Sequence, residues 1–86
     1  MKVSTLTAYV DHNNIFRKTP LSLQNAKDRQ SIANSIDNDL SPENLTCDGE
    51  LPRHQVKARY DQLTKAAFEL KQLDPSVKFY EYGTEV

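Results

Sequence analysis

The sequence predicts an α+β domain in which a two-helix hairpin packs on one face of a small sheet. Strand-like alternation of side chains occurs over residues 3–10 and 77–82, whereas apolar residues recur at helical spacing over residues 52–73. The predicted order of elements is β-β-α-α-β, with two or three strands in an antiparallel or mixed sheet. Because no linker-like tract divides the 86 residues, they are expected to form a single domain, residues 1–86.

The first predicted element is a half-buried strand over residues 3–10. Its apolar face comprises Leu6, Ala8 and Val10. Residues 12–14 have the composition of a turn because asparagine tolerates positive φ. Residues 15–17 are therefore predicted to return as a short second strand.

A helix is predicted next, with Ser22 as its N-cap. Its apolar positions are Ala26, Ile32, Ala33, Ile36 and Leu40. This face is narrow, so the helix is expected to rest on a larger element. After it, Ser41 followed by Pro42 predicts a capped single turn, since proline is well tolerated at the first helical position.

The strongest pattern in the chain is a long amphipathic helix from about Pro52 to about Leu73. Its apolar seam comprises Val56, Tyr60, Leu63, Ala67 and Leu70. Such spacing favours packing against another helix, and the preceding helix is the nearest partner for an antiparallel hairpin. A second subunit is the alternative. Asp61 precedes Lys65 by four residues, which predicts an ion pair within the helix.

The last predicted element is a strand over residues 77–82 that joins the sheet. Val77, Phe79 and Glu81 would lie on one face and Lys78, Tyr80 and Tyr82 on the other. We expect its aromatic residues, together with Tyr9, to form core and cross-strand pairs. The alternative is an exposed aromatic surface on which nucleic-acid bases stack.

The distribution of charge is more informative than the net charge of −1. Residues 37–50 carry only acidic charges, whereas residues 53–65 are mostly basic. We expect these two segments to complement each other within the fold, with nucleic-acid binding by the basic segment as the alternative. No apolar run has the length of a membrane span, and no secretory leader is recognisable, so the predicted location is the cytoplasm.

The sequence lacks a recognisable catalytic, cofactor or metal signature. A single cysteine, Cys47, excludes an internal disulfide. A thiol nucleophile assisted by His54 and Asp48 is the best enzymatic alternative. Chain connectivity alone brings these residues near Cys47, so their proximity is weak evidence for catalysis. A metal site of His12, Cys47 and His54 lacks paired ligand spacing. With only two glycines, no phosphate-binding loop is available. The chain is therefore predicted not to be an enzyme and to use no cofactor and no metal.

The predicted interaction surface lies on the long helix. It comprises Arg53, Lys57, Arg59, Lys65 and Phe68. Phe68 lies off the apolar seam, so it either packs on the sheet, the preferred interpretation, or forms an exposed interface anchor. By elimination, the chain is predicted to be a small accessory or regulatory module that binds a protein partner. Whether it also forms a homodimer is left open. The alternative is a regulator that binds nucleic acid, which the net charge disfavours.

Overall fold

The computed structural model describes residues 4–83, and the regular structure in this range is entirely helical. The helices are α1 (Thr5–Asn14), α2 (Ala26–Asp39), α3 (Pro42–Leu45) and α4 (Arg53–Leu73). The predicted α+β fold is therefore wrong, because no strand is present among residues 4–83. Helix α4 contacts each of the other three helices, so it organises the fold as its pattern predicted.

Helix α1 replaces the predicted first strand. The Ser4 side chain caps it by accepting a hydrogen bond of 3.0 Å from the Thr7 amide, which supports helical rather than extended backbone. Leu6 and Val10 are buried, but Ala8, which alternation placed on the same face, is exposed. The buried residues of this segment are thus four residues apart, as in a helix, and not two residues apart, as in a strand. The predicted second strand over residues 15–17 is also wrong, and residue 3 lies outside the described residues.

Helices α2 and α4 form the predicted antiparallel hairpin, with α3 in the connection between them. The guanidinium of Arg29, near the start of α2, pairs at 2.7 Å with Asp74, which directly follows α4. Ser41 caps α3 and Pro42 occupies its first turn, as the sequence predicted. The N-cap of α2 is Asn25, whose side chain accepts from two backbone amides, and not Ser22.

The core lies where α1, α2 and α4 meet. Its members from α1, α2 and α4 are Leu6, Val10, Ile32, Ala33, Ile36, Leu63, Ala66, Ala67 and Leu70. Three of the five predicted seam residues of α4 are fully part of this core, and Val56 packs against its edge. Tyr60 departs from the prediction because 49% of its surface is exposed.

The segment 77–83, which we call the C-terminal strap, runs beside α2 in place of the predicted last strand. Val77 and Phe79 are buried in the core. The main-chain N–H and C=O of Lys78 both bond at 3.0 Å to the side-chain amide of Gln30, which takes the role that a neighbouring strand would have. Tyr80 and Tyr82 are exposed, so the expected core and cross-strand pairing of these two aromatics is wrong.

The end of the strap is held by the buried carboxylate of Asp37. This carboxylate accepts the amide of Glu81 at 3.2 Å and the amide of Gly83 at 2.6 Å. A side chain at position 83 would meet the ring of Phe79 at 2.7 Å, so glycine is required for this close approach. The end of the strap therefore depends on Asp37 of α2 and on Gly83.

The turn between α4 and the strap depends on Asp74. Hydrogen bonds from Ser76, and then the contact with Arg29, lower the pKa of Asp74 from 3.8 to about 2. Because the folded-state pKa is depressed, the stabilisation is complete above 3.8 and is lost as the pH falls towards about 2. We expect Asp74→Asn to remove this part of the acid sensitivity. Urea unfolding of wild type and variant across this pH range measures it, and an unchanged pH dependence in the variant would contradict this role.

Candidate functional site

Phe68 lies on the solvent side of α4. At about 100° per residue, it projects roughly 150° from the centre of the buried face of α4. Its side chain is 55% exposed. The preferred interpretation, in which Phe68 packs in the core, is therefore wrong, and the alternative of an exposed aromatic residue is confirmed.

We define the outer face of α4 by the exposed residues that share this side of the helix. They are Arg53, Lys57, Asp61, Lys65, Phe68 and Lys71. Four of these residues are basic and one is acidic, and two of the basic residues, Lys65 and Lys71, lie within one turn of Phe68. Tyr60, Thr64 and Phe68 follow at intervals of four and form one row along the helix, in which the Thr64 hydroxyl donates to the Tyr60 carbonyl at 2.9 Å.

The basic residues of this face have no acidic partner within residues 4–83, where the ion pair present is Arg29 with Asp74. The predicted pair of Asp61 with Lys65 does not form, nor does an ion pair between the acidic connector and the basic start of α4. Glu43, Asp48 and Glu50 are exposed instead. The charges of the outer face are thus available to another molecule.

Arg59 belongs to a different surface from the other four predicted residues. It is half-buried, and its Nη2 donates to the Asn44 carbonyl at 3.2 Å. Its Nε is buried without a hydrogen-bond partner. The structure therefore brings together Arg53, Lys57, Lys65 and Phe68, and places Arg59 in a cleft on another side of the helix.

This second surface, the α1–α4 cleft, has a volume of about 670 Å³. Its lining residues are Ser4, Thr5, Ala8, Tyr9, His12, Asn13, Asp39, Arg59, Gln62 and Leu63. Sequence reasoning missed it because half of the lining comes from α1, which was predicted as a strand. The four-residue spacing of Thr5, Tyr9 and Asn13, and of Ala8 and His12, is the signal that could have revealed it.

Tyr9 and Asp39 form a fixed polar pair in the cleft. The Tyr9 hydroxyl donates to Asp39 Oδ2 at 2.7 Å and lies 2.7 Å from Ser35 Oγ. Burial raises the pKa of Tyr9 far above its ordinary value, and the adjacent Asp39 carboxylate raises it further. The phenol therefore stays protonated and acts as a neutral donor that orients the carboxylate.

The residues considered for thiol or metal chemistry are exposed. Cys47 and Asp48 occupy a turn with positive φ, and His54 lies in the first turn of α4. Within residues 4–83, histidine, cysteine and acidic side chains do not gather in a group of three or more that could hold a metal ion. In the same range, none of the helices combines the length and the apolar character needed to cross a membrane.

The chain matches no protein-family profile, and neither the curated proteins nor the solved structures include a significant match to it. The two surfaces are therefore interpreted from their own geometry.

Proposed function

We propose that this chain is a non-enzymatic cytoplasmic accessory protein that binds a protein partner through the outer face of α4. The observation that carries the proposal is the exposure of Phe68, at 55%, on a helix face whose basic residues have no acidic partner within residues 4–83. The opposite side of the same helix is already buried in the core, so the exposed aromatic is not needed for packing.

The outer face has the composition of an interface with a central anchor. Burying a phenylalanine side chain contributes roughly 1.5–3 kcal/mol, which makes Phe68 the dominant apolar contribution to binding. Arg53, Lys57 and Lys65 on the same face of α4 would accelerate and orient the encounter with an oppositely charged surface. The partner that fits is an acidic protein surface with an apolar pocket for one aromatic ring.

Nucleic acid is the second candidate. The first turn of α4 carries Arg53 and contains no acidic residue, and Phe68 and Tyr60 could stack on bases. The net charge of −1 disfavours this candidate, because attraction to phosphates depends on excess positive charge. The same experiment separates the two.

We expect tagged full-length protein, purified from its native host after nuclease treatment, to retain a stoichiometric protein that is released by salt. Phe68→Ala should lose this partner, because the anchor is removed without a change in the core. Phe16→Ala is the matched control, since Phe16 is also an exposed phenylalanine, at 87%, but lies in the turn after α1. Retention should be measured by quantitative mass spectrometry of the eluate.

Three results would contradict the proposal. The first is equal retention of the partner by wild type and Phe68→Ala, and the second is equal loss of the partner from Phe68→Ala and Phe16→Ala. The third is loss of all bound material on nuclease treatment, which would favour the nucleic-acid candidate instead. Charge reversal by Lys57→Glu should also weaken binding of an acidic protein partner.

A further inference from the structure

The α1–α4 cleft contains two opposite charges that do not neutralise each other. Asp39 and Arg59 both line it, yet no ion pair forms between them within 4.0 Å. Charged groups that are partly removed from water are stabilised by an opposite charge, which neither group has within residues 4–83. The proposed docking face of α4 does not include either residue.

Each of the two charged side chains is oriented by one hydrogen bond to the protein and keeps a second atom free for a ligand. Asp39 Oδ2 accepts the Tyr9 hydroxyl, whereas Oδ1 has no hydrogen bond within residues 4–83 and is not buried. Arg59 Nη2 donates to the Asn44 carbonyl, whereas Nη1 has no protein acceptor in the same range and is not buried. Both side chains are therefore pre-organised, which lowers the entropy lost on binding.

We propose that the α1–α4 cleft binds a small zwitterion of the α-amino-acid class, with its carboxylate on Arg59 and its ammonium group on Asp39. The guanidinium suits a carboxylate, and the Asp39 carboxylate with its neutral Tyr9 donor suits an ammonium group. Ala8 and Leu63 supply the apolar part of the lining and would contact an aliphatic side chain.

The charge pattern of the cleft favours a zwitterion over a ligand with a single charge. A simple anion would meet the repulsion of Asp39, and a simple cation would meet that of Arg59, whereas a zwitterion satisfies both. The volume of about 670 Å³ falls within the range of roughly 300–1,000 Å³ typical of small-molecule sites.

The test is a titration of the full chain with L-leucine, followed through backbone amide chemical shifts. We expect saturable shifts at His12, Asn13 and Gln62, which line the cleft. N-acetyl-leucine lacks the ammonium group and leucine amide lacks the carboxylate, so each should bind at least about tenfold more weakly, a loss of roughly 1.4 kcal/mol. Absence of shifts with L-leucine and L-alanine up to roughly 10 mM would overturn the proposal, as would binding of either derivative as tightly as L-leucine.

Variants of the two charges provide a second readout. Arg59→Gln and Asp39→Asn should each weaken L-leucine binding by about tenfold or more. Lys18→Gln is the control, because Lys18 is exposed in the loop after α1 and does not line the cleft. Circular dichroism checks folding of each variant, and the series of leucine derivatives tests the wild type even if Asp39→Asn unfolds. The partner assay depends on Phe68, whereas leucine binding depends on Asp39 and Arg59. Failure of the proposed amino-acid binding is therefore distinguishable from failure of the proposed function.

Discussion

Leu70→Ala is expected to lower the free energy of unfolding by roughly 2–5 kcal/mol, which is a large share of the stability of so small a domain. The Leu70 side chain is completely buried and lies in the core that α4 forms with α1 and α2. Removing its terminal carbons loses apolar burial and leaves a cavity that rigid helices fill only in part. Chemical denaturation monitored by circular dichroism measures the difference.

Phe68→Ala is the matched control, because Phe68 lies two residues earlier in the same helix and faces solvent. Its effect on the free energy of unfolding should remain within about 0.5 kcal/mol, as is usual for exposed sites. A loss at Phe68 comparable to that at Leu70 would show that the phenylalanine is part of the core, and it would remove the basis for the proposed docking face. The two variants thus separate the folding side of α4 from its interaction side.

The pattern of α4 could be predicted because its length gives many repeats of the helical spacing. Over its 21 residues, the buried Leu63, Ala67 and Leu70 follow a period that no strand has. The cap of α3 could be predicted for a different reason. Ser41 followed by Pro42 is a local signal, and local signals do not depend on distant contacts.

The strand predictions failed at short segments where two periods fit the same residues. Leu6 and Val10 are compatible with alternation and also with a spacing of four, and Ser4 with Thr7 supplied the cap that decided for the helix. At the other end, the buried Val77 and Phe79 alternate with the exposed Lys78 and Tyr80. The main chain of Lys78 bonds to the Gln30 side chain of α2, and a side chain that substitutes for a strand leaves no pattern in the sequence.

The candidate site was predicted only where it lies on a single element. Lys57, Lys65 and Phe68 belong to one helix, so the face that they share follows from its phase, although the preferred interpretation wrongly placed Phe68 against a sheet. The cleft joins Tyr9, Asp39 and Arg59 from three different helices, and their proximity depends on packing that the sequence alone did not reveal. Negative charge at the C-terminal end of a helix opposes the helix dipole, yet Asp37 and Asp39 at the end of α2 each receive hydrogen bonds from other parts of the chain.

The second large effect is expected at Asp37, which holds the end of the C-terminal strap. Asp37→Ala removes two hydrogen bonds to a charged acceptor, each worth about 1.5–3 kcal/mol, and leaves the amides of Glu81 and Gly83 without that partner. We expect the free energy of unfolding to fall by roughly 2–4 kcal/mol and the amides of the strap to exchange faster with solvent. Denaturation and hydrogen exchange measure the two effects. Asp48→Ala, at an exposed turn position, is the control for loss of an acidic side chain.

Gly83→Ala tests the same contact from the side of the strap. Its added carbon would meet the Phe79 ring at 2.7 Å, so the strap must shift and its bond to Asp37 must lengthen. Because both substitutions act on one interaction, their effects on the free energy of unfolding should not add, and the double variant should resemble Asp37→Ala alone. Full additivity would show that Asp37 and Gly83 stabilise the protein independently. In that case the buried carboxylate would be required by α2 itself, and the strap would be held chiefly by Val77, Phe79 and the amide of Gln30.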